Sequence, residues 1–263
     1  MRRAVPLLLL PILLALPLAA AAPPVEIIGQ PSAGCIVGAE RLPDTAPGLQ
    51  TIRAGQSAFW GAPTLIAALR ELGRRAQAAG LPDLYVGDLS APHGGPLAGG
   101  HAGHQIGLEA DVWLDLAPHP VLPVAARETL RPPSLVRADG RDVDPARWTP
   151  EHLLLLRLAA TLPGVDRIFV HPAIKQRLCQ TVRGDRAWLR LIRPWWGHAS
   201  HMHIRLRCPT GQPRCAEAPP PPQGDGCDAS LGWWFAQMDR PTAPAPPAAQ
   251  PELPAACRAV LGQ

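Results

Sequence analysis

Two short histidine-bearing segments, far apart in the chain, constrain the fold more than any other feature. The first runs Gly100-His101-Ala102-Gly103-His104-Gln105-Ile106-Gly107-Leu108-Glu109-Ala110-Asp111. The second runs Trp195-Trp196-Gly197-His198-Ala199-Ser200-His201-Met202-His203. Five of the nine histidines fall in these two stretches. Both lead into strict alternation. Leu108, Ala110, Val112, Leu114 and Leu116 share one face, while Glu109, Asp111, Trp113 and Asp115 share the other. Likewise His201, His203, Arg205 and Arg207 oppose Met202, Ile204 and Leu206. Each reads as a half-buried strand, with Asp111 aimed at an open face. A fold that gathers these polar faces must bring together segments about ninety residues apart.

The donor chemistry says what such a gathering would hold. Neutral imidazole and carboxylate suit zinc, and a catalytic zinc takes three protein ligands and leaves one position for water. The spacing from His104 to Asp111 crosses a tight turn into a strand, so both can converge on one ion. His203, from a neighbouring strand, closes a His-Asp-His set. Zinc held this way lowers the pKa of water to roughly 7. His201 lies two residues from a ligand on the same face, placed to take a proton or stabilise an oxyanion. His198 is expected on the loop entering the strand, where it could assist. His93, His119, His152 and His171 read as surface or structural residues.

The N-terminus reads as a leader rather than as part of the fold. Arg2 and Arg3 precede an apolar run from Val5 to Leu18, and Ala19 to Ala22 offers cleavage sites. Residues 1–22 are therefore expected to be removed on export. No other stretch approaches about 18 uninterrupted apolar residues, so no membrane span is expected after cleavage. The formal charge of +4 falls to +2 without the two leader arginines. With no basic run and no aromatic-basic stripe, nothing points to nucleic acid.

Six cysteines occur and none forms a CxxC pair. In an exported chain an even count reads as three disulfides, with fifteen connectivities open. Residues 23–34 read as a polar lead-in. Residues 63–79 are expected to be helical, with Pro63 in the first turn and Leu65, Ile66, Leu69 and Leu72 at helical spacing. Leu84 to Leu89 reads as a strand, and residues 118–134 as a proline-rich loop. Thr149-Pro150 opens a helix filled by Leu153 to Ala160. Val165 to Val170 reads as a strand and Asp185 to Leu191 as a helical turn. Beyond Cys208, Pro219 to Pro222 and Pro241 to Pro254 frame a tail expected to hold little regular structure. The domain reading is a main body over 23–208, carrying both histidine segments, and a disulfide-tied extension over 209–263. The fold class is α+β, with a small antiparallel sheet carrying the site, flanking helices and long loops. There is no internal repeat, Walker loop, G-x-S-x-G elbow or H-E-x-x-H helix.

The chain resembles the penicillin-insensitive murein endopeptidases, the MepA type, within the zinc peptidases that share an H-x6-D and HxH site. The resemblance is carried by Gly34-Cys35-Ile36-Val37-Gly38-Ala39, Val86-Gly87-Asp88, the stretch from Gly99 to Leu108, and Arg167-Ile168-Phe169-Val170. It continues through Pro172-Ala173-Ile174-Lys175-Gln176, Arg193-Pro194-Trp195, His201-Met202-His203, Arg205 to Pro209, and Gly224-Asp225-Gly226-Cys227.

It implies that His104, Asp111 and His203 hold the catalytic zinc, with His201 and His198 serving the chemistry. His101 matches a further histidine near that metal, sometimes counted among its ligands, and is therefore a candidate metal residue as well. The Arg137–Asp142 turn matches an acidic and a histidine position linked to a second metal, so Asp139 and Asp142 are its candidate ligands, although Asp142 stands where histidine is expected. Gly103 and Glu109 stand where Ser and Asp are common. The resemblance also implies the pairs Cys35–Cys257, Cys179–Cys227 and Cys208–Cys215. It implies a periplasmic enzyme that hydrolyses D-alanyl-meso-diaminopimelyl cross-bridges of murein without a serine nucleophile. A zinc D,D-carboxypeptidase and a non-catalytic murein-binding protein are the competing readings. The oligomeric state stays open.

Overall fold

The computed structural model describes residues 24–53, 58–97, 102–239 and 251–262. The leader, His101 and residues 240–250 lie outside the described residues.

The centre of the fold is a seven-stranded sheet. Its two middle strands are β8 (Glu109–Trp113) and β11 (His201–Leu206), paired antiparallel with His203 directly opposite Asp111. On the far side of β11 lies β9 (Val165–Val170), antiparallel, and beyond it β10 (Ile192–Pro194), parallel to β9. On the far side of β8 come β7 (Leu84–Val86), then β5 (Leu49–Thr51) in parallel with β7, then β4 (Thr45–Ala46). The α+β reading holds and β8 and β11 are antiparallel, but the sheet as a whole is mixed. Apolar runs such as Val165 to Val170 carry no signal of strand direction, so the parallel pairs were not legible.

One face of the sheet is dry. Ala110, Val112, Met202 and Ile204 are buried in the main core, together with helices α1 (Pro63–Ala78) and α3 (Pro150–Ala160). Helix α1 contributes Leu65, Ile66, Leu69 and Leu72, as its spacing predicts. Each such side chain contributes about 1.5–3 kcal/mol by leaving water. Helix α3 begins where Thr149 and Pro150 predict. The Thr149 side chain meets the His152 backbone, and His152 Nδ1 accepts the Thr149 N–H at 3.0 Å. His152 Nε2 reaches the Leu114 carbonyl at 3.0 Å, so this buried histidine is structural. His171 likewise caps α4 (Pro172–Thr181) by accepting the Ala173 N–H at 3.2 Å.

Close packing of α1 on the sheet edge requires a glycine. A Cβ on Gly73 would stand 2.6 Å from Leu49 Cγ and 2.6 Å from the Pro47 carbonyl. Gly73→Ala is therefore expected to cost about 1–3 kcal/mol. An unchanged thermal midpoint would show that this edge yields.

Three regions differ from expectation. The lead-in over 23–34 forms part of a hairpin, β1 (Glu26–Gln30) and β2 (Ala33–Val37), with Ile27, Ile28, Cys35 and Ile36 buried. The prolines and glycines that suggested a loop include the turn, Pro31, and Gly29, whose φ is +85°. The proline-rich loop holds one short helix, α2 (Val124–Arg127). The tail holds two helices, α5 (Ala229–Met238) and α6 (Ala255–Val260). Its prolines flank these helices instead of interrupting them.

The disulfides are Cys35–Cys257, Cys179–Cys227 and Cys208–Cys215. The first ties α6 to β2, and the second ties α4 to the segment before α5. Among the described residues no helix is long and apolar enough to cross a membrane.

Candidate metal centre

The polar face of β8 and β11 carries the site. In a strand the side chains at alternate positions share a face, so Glu109 and Asp111 stand beside His201, His203 and Arg205. The half-buried expectation for β8 fails in one respect: all five of its residues are buried. The polar face is covered by the 102–107 loop and by the imidazoles opposite.

That loop delivers His104, which sits at φ +69°, an uncommon region for a residue with a Cβ. The next residue fixes it. Gln105 donates its backbone N–H to the Pro31 carbonyl at 3.1 Å and its side-chain amide to the Ser32 carbonyl at 2.9 Å. Its side-chain oxygen accepts the Gly34 N–H at 3.3 Å. The N-terminal hairpin thus holds the backbone from which His104 reaches the sheet.

His104, Asp111 and His203 are buried and offer ligand atoms that all lie within 4.8 Å of one another. Asp111 Oδ1 stands 3.6 Å from His104 Nε2 and 3.1 Å from His203 Nδ1. Ligands at about 2.0 Å on a tetrahedral ion are about 3.3 Å apart, so this spacing matches zinc. Asp111 Oδ1 is buried and meets no donor in good hydrogen-bond geometry, its near neighbours being the His104 and His203 ring nitrogens, as expected of an oxygen that serves a cation. The residues fit the metal.

The electrostatics agree. Burial alone would raise the Asp111 carboxyl, but His104, His203 and His201 outweigh it and hold the group far below the ordinary carboxylate range. Glu109 is lowered in the same way, with burial opposed by His203, Arg205 and His104. Burial would lower His203, yet Glu109 and Asp111 push it up to about 10. The two carboxylates thus favour the protonated form of His203 in the metal-free site, and a metal competes with that proton. Zinc affinity is expected to rise with pH, by about tenfold per unit between about pH 6 and 8. Calorimetry in buffers of different ionisation enthalpy should count about one proton released per zinc. A pH-independent affinity would contradict the assignment.

The remaining sequence candidates divide. His201 Nε2 lies 3.7 Å from Asp111 Oδ2. The His198 ring centroid is 4.9 Å from that of His201. His198 Nδ1 is 2.8 Å from the Trp196 carbonyl, which can only accept, so Nδ1 carries the proton and Nε2 the lone pair. Burial, then His201, lowers His198 to about 4, so it is neutral at neutral pH. A cavity of about 660 Å³ joins His104, Asp111, His198, His201 and His203.

Asp139 and Asp142 are placed elsewhere. Both Asp142 oxygens accept from Arg177, at 2.8 and 2.7 Å. Asp139 accepts the Arg141 N–H at 3.0 Å and lies 3.4 Å from Arg137. Neither belongs to the one candidate metal cluster among the described residues. His101 lies outside them.

Some lining residues are not read as site residues from the sequence, although two of them open the second histidine segment. Phe169 reaches the pocket because β9 pairs it with His203, and their rings are 5.5 Å apart. Trp195 and Trp196 form an outer wall and pack against Trp234 of α5.

A family model described as penicillin-insensitive murein endopeptidase matches residues 27–262. A protein of that name from Klebsiella pneumoniae subsp. pneumoniae is 43% identical over 240 residues, covering 90% of this chain and 86% of its own. One of the same name from Salmonella heidelberg is 42% identical with the same coverage. The match runs through both histidine segments, the three cysteine pairs and the β1–β2 hairpin, and the chain belongs to the penicillin-insensitive murein endopeptidase family.

Proposed function

We propose that this protein is a zinc-dependent murein endopeptidase of the periplasm that hydrolyses D-alanyl-meso-diaminopimelyl cross-bridges. The convergence of His104 Nε2, Asp111 Oδ1 and His203 Nδ1 on one buried point carries the reading. Zinc bound there would acidify a water and polarise the scissile carbonyl.

The chain's own residues supply the rest. Asp111 contributes the negative charge that keeps a cation in a buried site. His201, with 22% of its side chain exposed, sits where the ligands meet the cavity and acts as the proton acceptor. His198 stays uncharged and offers Nε2 toward the same space. Phe169 and the two tryptophans line one side of the cavity with apolar surface. No serine nucleophile is required, which accords with the penicillin insensitivity in the family's description.

Export is supported by the leader pattern over 1–22 and by three disulfides, which persist in an oxidising compartment. Residues 23–208 form the peptidase domain and 209–263 its extension. The proposal uses one ion, because the Asp139 and Asp142 carboxylates are already engaged by arginines and backbone.

Purified protein incubated with cross-linked muropeptide dimers should release monomers. Release should stop with a chelator, return with zinc, and persist in penicillin. Trimming of monomeric pentapeptide with dimers left intact would make it a carboxypeptidase. Binding to sacculi without any cleavage would refute the enzymatic reading.

A further inference from the structure

Glu109 is fully buried in the wall of the site, and its carboxylate touches two of the three ligand residues. Oε2 accepts the backbone N–H of His104 at 2.6 Å. Oε1 lies 3.3 Å from His203 Nε2, the ring nitrogen opposite the one that faces Asp111. The same oxygen pairs with Arg205 Nε. No other carboxylate among the described residues reaches both histidines at these atoms.

The two contacts act on different degrees of freedom. His104 holds a left-handed φ that a residue with a Cβ adopts only when its surroundings impose it. The Glu109 bond to its N–H is such an imposition. At His203, a carboxylate behind the far ring nitrogen fixes ring orientation and favours the tautomer whose other nitrogen is free for metal.

Gly103 is the second half of the device. Its backbone does not call for glycine, because it is absent from the left-handed residues. Its space does. A Cβ there would stand 2.2 Å from Glu109 Oε2 and 3.2 Å from its carboxyl carbon. A glutamate at 109 fills the room that any side chain at 103 would need.

We propose that Glu109 is a positioning residue that sets the metal-binding geometry of His104 and His203, and that Gly103 is its obligate partner, the two working as one unit. The inference rests on the zinc reading of the site. It makes a specific prediction: two substitutions that each damage the site should not compound one another. Glu109→Asp withdraws the carboxylate by one methylene and breaks its reach to His104. Gly103→Ala drives a methyl group into the carboxylate. Together, the shorter acid leaves room for the methyl group.

The test is zinc affinity of the full chain, measured by competition with a chromophoric chelator, with thermal midpoints of the metal-free proteins taken alongside. Each single variant should bind zinc about 10–100-fold more weakly. The double variant Gly103→Ala/Glu109→Asp should bind zinc within about threefold of Glu109→Asp alone, because the shorter acid removes the clash without restoring the His104 contact, the losses being strongly non-additive. Multiplied losses in the double variant would overturn the pairing. Single variants with lowered midpoints but unchanged zinc affinity would overturn the positioning role and leave only a packing one. If the unaltered protein takes up no zinc, both this proposal and the metal reading fall. If it binds zinc and Glu109→Asp binds equally well, only this proposal does. Should Glu109→Asp not fold, Gly103→Ala alone decides, since unchanged affinity there overturns the coupling and a loss supports it.

Discussion

Replacing Asp111 by alanine is expected to take zinc content from about one ion per chain to near zero and to abolish monomer release. The carboxylate is the only negative ligand in the set. It stands opposite His203 in the β8–β11 register and within 3.6 Å of His104. Without it, the imidazoles lose the charge that offsets a divalent cation in a buried place. The activity loss should reach about three decades or more, because the acidification of water from 15.7 to about 7 goes with the metal. The fold should survive, since the dry face of the sheet and all three disulfides are untouched, so circular dichroism should match the unaltered protein. Asp111→Asn keeps the shape without the charge and should sit close to the alanine variant in zinc content. Undiminished monomer release from either variant would remove Asp111 from the site.

The second large effect concerns Cys35–Cys257. This bond joins positions 222 residues apart, against 7 for Cys208–Cys215. A longer closed loop restricts the unfolded chain more, so removing the first should cost more than removing the second. Changing both Cys35 and Cys257 to alanine is expected to cost about 2–5 kcal/mol. The bond also has a local consequence. It holds α6 against β2, β2 belongs to the hairpin that grips Gln105, and Gln105 adjoins His104. The variant should therefore show a lower thermal midpoint and a faster zinc off-rate at temperatures well below it. Equal destabilisation by the two alanine pairs would show that the reduced chain keeps residual structure, and that loop length does not set the cost.

Much of the site was legible because its signals are local. Alternation around Asp111 and His203 placed both on polar strand faces, and the spacing from His104 to Asp111 implied a turn. Helices α1 and α3 followed from leucine spacing and from proline at the first turn. What failed was less local. The β1–β2 hairpin was hidden by its own turn residues, although Ile27 and Ile36 are core positions. Helix α5 was hidden by the prolines on either side of it, and its Trp234 contacts the tryptophan wall of the pocket. The parallel edges of the sheet left no trace, because an apolar run reads the same in both directions. The connectivity of the disulfides came from family resemblance alone, and the structure agrees with it.

The sequence by itself determined the donor chemistry, the strands that carry it and the family to which the chain is similar, since periodicity and residue type are properties of neighbouring positions. Only the tertiary structure decided where the second acid, Glu109, spends its charge. Glu109 and Asp111 lie two residues apart on one strand face; the spacing from His104 singled out Asp111 as the candidate ligand, but nothing in the sequence said what Glu109 would touch. The approach of the His104 loop sets Asp111 within 3.6 Å of His104 and encloses Glu109 against the His104 backbone. The same approach leaves no room for a side chain at Gly103. Which charges meet, and which atoms are excluded, depends on segments brought together from distant parts of the chain, and that information appears only when they pack.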